Sequence, residues 1–142
     1  MSTVNEQNWR DLKAELEPRQ VTLVAVSKTK PTEDVQALYE LGQRDFGENY
    51  VQELVAKQPQ LPADIRWHLI GHLQGNKVKY IAPFVHLIHA VDSFRLLQEI
   101  NKQAARHSRV IEVLLQMHIA EEETKFGLSE KELVELLDYY EA

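Results

Sequence analysis

The 142 residues contain no cysteine, which removes disulfides, thiolate nucleophiles and cysteine-ligated zinc from consideration. There is no run of Lys and Arg of the kind that tracks a phosphate backbone, and the formal net charge is -6. Broad contact with nucleic acid or with an anionic membrane surface is therefore not expected. No apolar run approaches the roughly 20 residues that a membrane span needs. Met1 is followed by polar residues, so no secretory leader is expected, and a cytoplasmic protein is the default. Internal repeats, low-complexity tracts and long linkers are also missing. What remains is 44% hydrophobic and 27% charged residues, the balance of a globular domain with a sizeable core.

Short apolar runs alternate with helical stripes. Val21 to Val26 is a compact β-branched run that predicts a strand buried on both faces. Arg66 to Ile70, Val85 to His89 and Val110 to Met117 are further candidate strands, with a weaker one at Arg44 to Phe46. Between them lie helical stripes: Trp9, Leu12 and Leu16; then Val35, Leu38 and Leu41, with Gly42 as a C-terminal stop. Val51, Leu54 and Val55 follow, with Pro59 helping to end that helix; next come a short helix over 76–82 and a longer one through Phe94, Leu97, Ile100 and Ala104. Ser129 and Glu132 form a capping-box pattern that opens a last helix. The order is one helix followed by five strand–helix units, which implies an α/β fold with a parallel sheet and right-handed crossovers. An open doubly wound sheet and part of an eight-stranded (β/α) TIM-type barrel both fit. A full barrel takes about 250 residues, so residues 1–142 would form a single partial barrel domain. The final helix, with no closing strand after it, is expected to be a cut end.

Three segments carry candidate chemistry. Lys28 follows the first strand in Val26-Ser27-Lys28-Thr29-Lys30-Pro31. The carboxyl ends of parallel strands are where α/β folds place their sites. Desolvation there would disfavour the ammonium, and a neutral amine can attack a carbonyl to form an imine. Pro31 would hold the base of the segment. A solvated lysine in a turn fits the position as well. In Phe46-Gly47-Glu48-Asn49-Tyr50-Val51-Gln52-Glu53, Asn49 and Gln52 fit a helix capping box, and Asn49 alternatively suits an amide donating to a ligand oxygen. Trp67-His68-Leu69-Ile70-Gly71-His72-Leu73-Gln74-Gly75-Asn76-Lys77 runs strand, glycine loop, helix, but its glycine spacing is not that of a Walker phosphate loop, and Val78 stands where a hydroxyl is needed. His68, His72, His86 and His89 have no acidic ligand at a fixed spacing, so histidines satisfied by protein partners are expected rather than a metal. Lys125, after three consecutive acids, fits either a second site lysine or a surface charge.

Taken together, these segments and Lys125-Phe126-Gly127 resemble the PLP homeostasis family, whose barrel is similar to the alanine racemase N-terminal domain. They occur in family order across almost the whole chain. The resemblance implies that pyridoxal 5'-phosphate (PLP) is bound as a Schiff base on Lys28, that Asn49 lies beside its ring, and that His68 and the following loop line the barrel mouth. It makes Lys30 and Lys125 accessory lysines. It also implies a role in holding PLP and delivering it to PLP-dependent apoenzymes, without established turnover. Two departures stand out. Met117-His118-Ile119 occupies the place where the family usually has an Asn. The family continues for three more strands, which carry the Ser- and Met-containing segment and the Arg-Gly-Thr-type loop that hold the phosphate, and these are not among the 142 residues. Open strand edges in such a partial barrel lead to an expectation of self-association. The rival readings are an imine-forming barrel enzyme, either an aldolase or a PLP-dependent racemase, and an interaction module in which Lys28 is incidental.

Overall fold

A computed structural model describes residues 3–119 and 127–141. Helix α1 (Glu6–Leu16) precedes five strand–helix units: β1 (Ala25–Val26), α2 (Thr32–Leu41), β2 (Asp45–Glu48), α3 (Val51–Lys57), β3 (Arg66–Leu69), α4 (Val78–Ile81), β4 (Leu87–Val91), α5 (Phe94–Arg106), β5 (Glu112–Leu115) and α6 (Glu130–Glu141). All neighbouring strands are parallel and the sheet order is β1-β2-β3-β4-β5. That order separates the two architectures left open by periodicity. A doubly wound sheet reverses direction at a switch point, whereas here each strand adds to the same side as the last. With right-handed crossovers, every connecting helix then falls on one face of the sheet, as in a barrel wall.

Burial follows from this winding. Phe46, Trp67, Leu69 and Ile88 point to the helix side and are buried with Val35, Leu54, Val78, Ile81 and Ile100. On the other, concave face, Val26 and Leu114 are about half exposed, at 55% and 49%. The expectation of a first strand buried on both faces is thus corrected. Its ladder is also shorter than residues 21–26. The buried Gln43 side chain donates to Leu23 O and to Asp45 O (both 2.7 Å), replacing sheet pairing with an amide bridge, and it accepts from Trp9 Nε1 at 2.8 Å.

The other strands shift for local reasons. Val85 is held back by the end of α4: its N–H donates to Ile81 O, and its carbonyl accepts from Arg109. The strand therefore begins at Leu87. Val110 is 93% exposed and precedes β5, while Met117 pairs only through an isolated bridge to Leu128. The weak candidate at 44–46 becomes β2, running to Glu48. Helix signals did better. Gly42 ends α2 at φ 120°, Ser93 caps α5 by accepting from Leu96 N, and Ser129 and Glu132 exchange both capping-box hydrogen bonds.

Candidate functional site

The register across the sheet places Val26, Gly47, His68 and Leu87 in one row. β1 ends at Val26 and β2 at Glu48, so Lys28 and Asn49 each lie just beyond the carboxyl end of their strand, two residues past the row of Val26 and Gly47. Val24 and Ile70 floor this region: a Cβ on Gly47 would lie 3.1 Å from Val24 Cγ1 and 3.2 Å from Ile70 carbons. Gly71 has a sharper reason to be glycine. A Cβ there would fall 2.3 Å from Asn49 Oδ1 and 2.4 Å from Asn49 O, so the two strand ends can meet only without it.

Asn49 does not cap α3. That helix starts at Val51 with Tyr50 as N-cap and no side-chain cap bond, so the capping-box reading is corrected. Asn49 instead opens onto a groove of about 750 Å3 shared with Gln52, His72, Lys77 and Tyr80.

Lys28 is exposed, so the burial expected to desolvate it is not present here. Its backbone is held firmly by its neighbours. Ser27 to Lys30 form a turn closed by Lys30 N to Ser27 O at 3.1 Å, with Thr29 at φ 62°. A β-branched residue in that left-handed region costs about 1–2 kcal/mol. The Thr29 amide donates to Glu53 Oε2 at 2.6 Å, and Ser27 Oγ donates to Glu48 Oε2. Beneath the turn, Lys57 bonds both carboxylates and Ser27 O. Burial, together with Glu53 nearby, raises the Glu48 carboxyl above its ordinary range despite hydrogen bonds from Ser27 and Lys57. For Glu53, burial pushes the same way, but hydrogen bonds from Lys57 and the Thr29 amide win and lower it.

His68 lies lower on the concave face, buried in the middle of β3 rather than at the mouth. Its Nδ1 is 2.8 Å from His89 Nε2, and its Nε2 is 2.9 Å from Asp45 Oδ1. Arg66 donates twice to the same carboxylate, at 3.0 and 2.7 Å. With both imidazoles neutral, one assignment satisfies every contact: His89 donates to His68, and His68 donates to Asp45. Asp45, His68 and His86 place one ligand atom each within 4.8 Å of one another, so the acidic partner missing from the sequence pattern comes from β2. Arg66 and His89 already bond the Asp45 carboxylate and the His68 imidazole in one hydrogen-bonded chain, and the His86 ring lies 5.4 Å from that of His68.

Burial holds both imidazoles below their ordinary range; the bond to Asp45 opposes this at His68, and His68 itself adds to it at His89. For Asp45, burial is outweighed by Arg66 and His68, and the carboxyl is lowered. His68 and His89 therefore bind fewer protons in the native than in the unfolded chain below about pH 6.5, and their contribution to stability falls as the pH drops through that range. His89→Gln is expected to make the drop in unfolding midpoint between pH 7.5 and pH 5.5 shallower than in the unmodified chain. Equal slopes would contradict this.

Of the remaining candidates, Lys30 lines a separate cleft of about 180 Å3 at the β1 edge with Thr3 and Asp34, apart from Asn49. Lys125 lies outside the described residues. Gly127 of the same motif has φ 151°, and a Cβ there would sit 2.5 Å from His118 N, so it is glycine for the crossing over β5's extension.

The sequence profile described as alanine racemase, N-terminal domain, matches residues 5–142. The chain belongs to this family. It is 40% identical over 121 residues to the pyridoxal phosphate homeostasis protein of Pasteurella multocida, covering 82% of this chain and 51% of that protein. The protein of the same name from Aquifex aeolicus is 42% identical over 118 residues, covering 82% and 52%. The chain thus spans about half the length of these curated relatives. The structure of PipY from Synechococcus elongatus PCC7942 with PLP bound superposes with a TM-score of 0.85 at 35% identity, covering 94% of this chain and 62% of PipY. Alanine racemase from Bartonella henselae, at 19% identity and a TM-score of 0.70, shares the fold.

Proposed function

We propose that these residues supply the lysine half of a PLP site, with Lys28 holding the cofactor as a Schiff base and Asn49 beside its ring. The protein would hold PLP and deliver it to PLP-dependent apoenzymes, and no turnover is assigned to it. The observation that carries this reading is that Lys28 and Asn49 follow the carboxyl ends of the neighbouring parallel strands β1 and β2, in a chain 35% identical to PLP-bound PipY. When bound, PLP supplies an aldehyde that condenses with a lysine amine, releasing water. This chain contributes a lysine on a fixed turn, the apolar floor of Val24 and Ile70, and an amide seated by Gly71. These fit the aldehyde and ring. The phosphate grip is assigned to the family's later segments, and residues 1–142 are taken as one partial barrel domain.

An absorption spectrum with added PLP tests the reading. A visible band lost on borohydride treatment is expected. Trapping of a keto compound without PLP would favour aldolase chemistry, and neither result would favour an interaction module. Asn49→Ala should shift that band or weaken retention while leaving the unfolding midpoint nearly unchanged, because no cap bond is lost. A drop of about 0.5–2 kcal/mol in stability with unchanged PLP would remove Asn49 from the site. The open edges at β1 and β5, with Val26 and Leu114 half exposed, favour self-association of residues 1–142. Light scattering should give a mass above 16.5 kDa, and a lone monomer would refute that proposal.

A further inference from the structure

The proposed chemistry leaves Lys57 without a role, yet its side chain is only 7% exposed. Its Nζ donates to Ser27 O at 2.7 Å, Glu48 Oε2 at 2.9 Å and Glu53 Oε2 at 2.7 Å. An ammonium has three protons and no lone pair, so its donors are fully committed and it is not a nucleophile. All three acceptors lead to the Lys28 turn. Ser27, immediately before Lys28, is held through its carbonyl by Lys57 and through its hydroxyl by Glu48. Thr29, immediately after it, is held through its amide by Glu53.

We propose that Lys57, acting with Glu48 and Glu53, is a positioning residue for Lys28. From the helix side of the sheet it fixes the residues on both sides of Lys28, and so sets the direction in which that side chain leaves β1 toward the concave face. The inference rests on Lys28 being the PLP lysine proposed above. A desolvated cation between two carboxylates is a poor source of stability, since apolar side chains of the same volume often serve as well. What the trio supplies is geometry. Thr29 sits in a sparsely populated backbone region, and such residues persist where their surroundings over-determine them. Here the determining contact is Glu53, itself anchored by Lys57.

Glu53→Ala tests this, because the Glu53 side chain is 23% exposed and its loss should leave the fold intact, whereas Lys57→Met strips a buried pair. In PLP-free chain, the Thr29 amide should exchange with deuterium at least about tenfold faster while β3 amides are unchanged. The ratio of Lys28 to Lys30 acetylation by acetic anhydride should also change. With PLP, Schiff-base formation at Lys28 should slow by a similar factor. Glu53→Gln, which keeps an acceptor oxygen, should restore most of each. A folded Glu53→Ala chain with unchanged Thr29 exchange and an unchanged acetylation ratio would overturn the proposal. If the unmodified chain forms no adduct with PLP, the functional reading fails, while exchange and acetylation still decide the clamp.

Discussion

Lys28→Ala should lose the visible band and hold PLP at least about tenfold more weakly, a change of 1.4 kcal/mol or more. Lys30→Ala should keep most of the band, because Lys30 lines the cleft at the β1 edge with Thr3 and Asp34, apart from Asn49. Lys57 is not a substitute, since its Nζ is committed as donor to Ser27 O, Glu48 and Glu53. The size of the effect follows from what a covalent link supplies: without it, PLP is retained only by the floor of Val24 and Ile70 and by Asn49. Lys125→Ala should likewise retain most of the adduct. Absorbance after gel filtration of each variant reads the outcome, and a Lys28→Ala chain that keeps its band would remove Lys28 from the role assigned to it.

Gly71→Val is the second large effect. Its Cβ would fall 2.3 Å from Asn49 Oδ1 and 2.4 Å from Asn49 O. The side-chain amide can rotate away, but the backbone oxygen at the end of β2 cannot. Overpacking of this kind costs about 1–3 kcal/mol, and the strand end that carries Asn49 must move. Both stability and PLP retention should fall together. Gly75, four residues on in the same loop, provides the control: nothing lies within 4 Å of a Cβ built there. Gly75→Ala should leave retention unchanged. Thermal unfolding and equilibrium dialysis of the two variants test the contrast. Equal behaviour would mean that the approach of Gly71 to Asn49 does not matter.

The five strand–helix units were legible because apolar periodicity, Gly42 and the Ser129–Glu132 box are local signals. The barrel-like winding was legible only through the family resemblance, since strand order is a property of the whole sheet and no local window of residues contains it. β2 was underestimated for a related reason. Asp45-Phe46-Gly47-Glu48 carries two acids and a glycine, and its acids are tolerated only because Arg66, His68, Ser27 and Lys57 converge on them from distant positions. The i,i+4 pair of Glu53 and Lys57 was the one local sign of the clamp beneath Lys28. Position at a strand end, together with family resemblance, is what singles out Lys28 and Asn49 in the sequence. The family resemblance put His68 at the barrel mouth, whereas the register pairs it with Gly47, two residues before Asn49.

The most direct measurement is peptide mapping by mass spectrometry of the unmodified chain after incubation with PLP and borohydride reduction. The account predicts that the reduced phosphopyridoxyl group is found predominantly on Lys28. A reduced adduct found mainly on Lys30, Lys57 or Lys125 would contradict it.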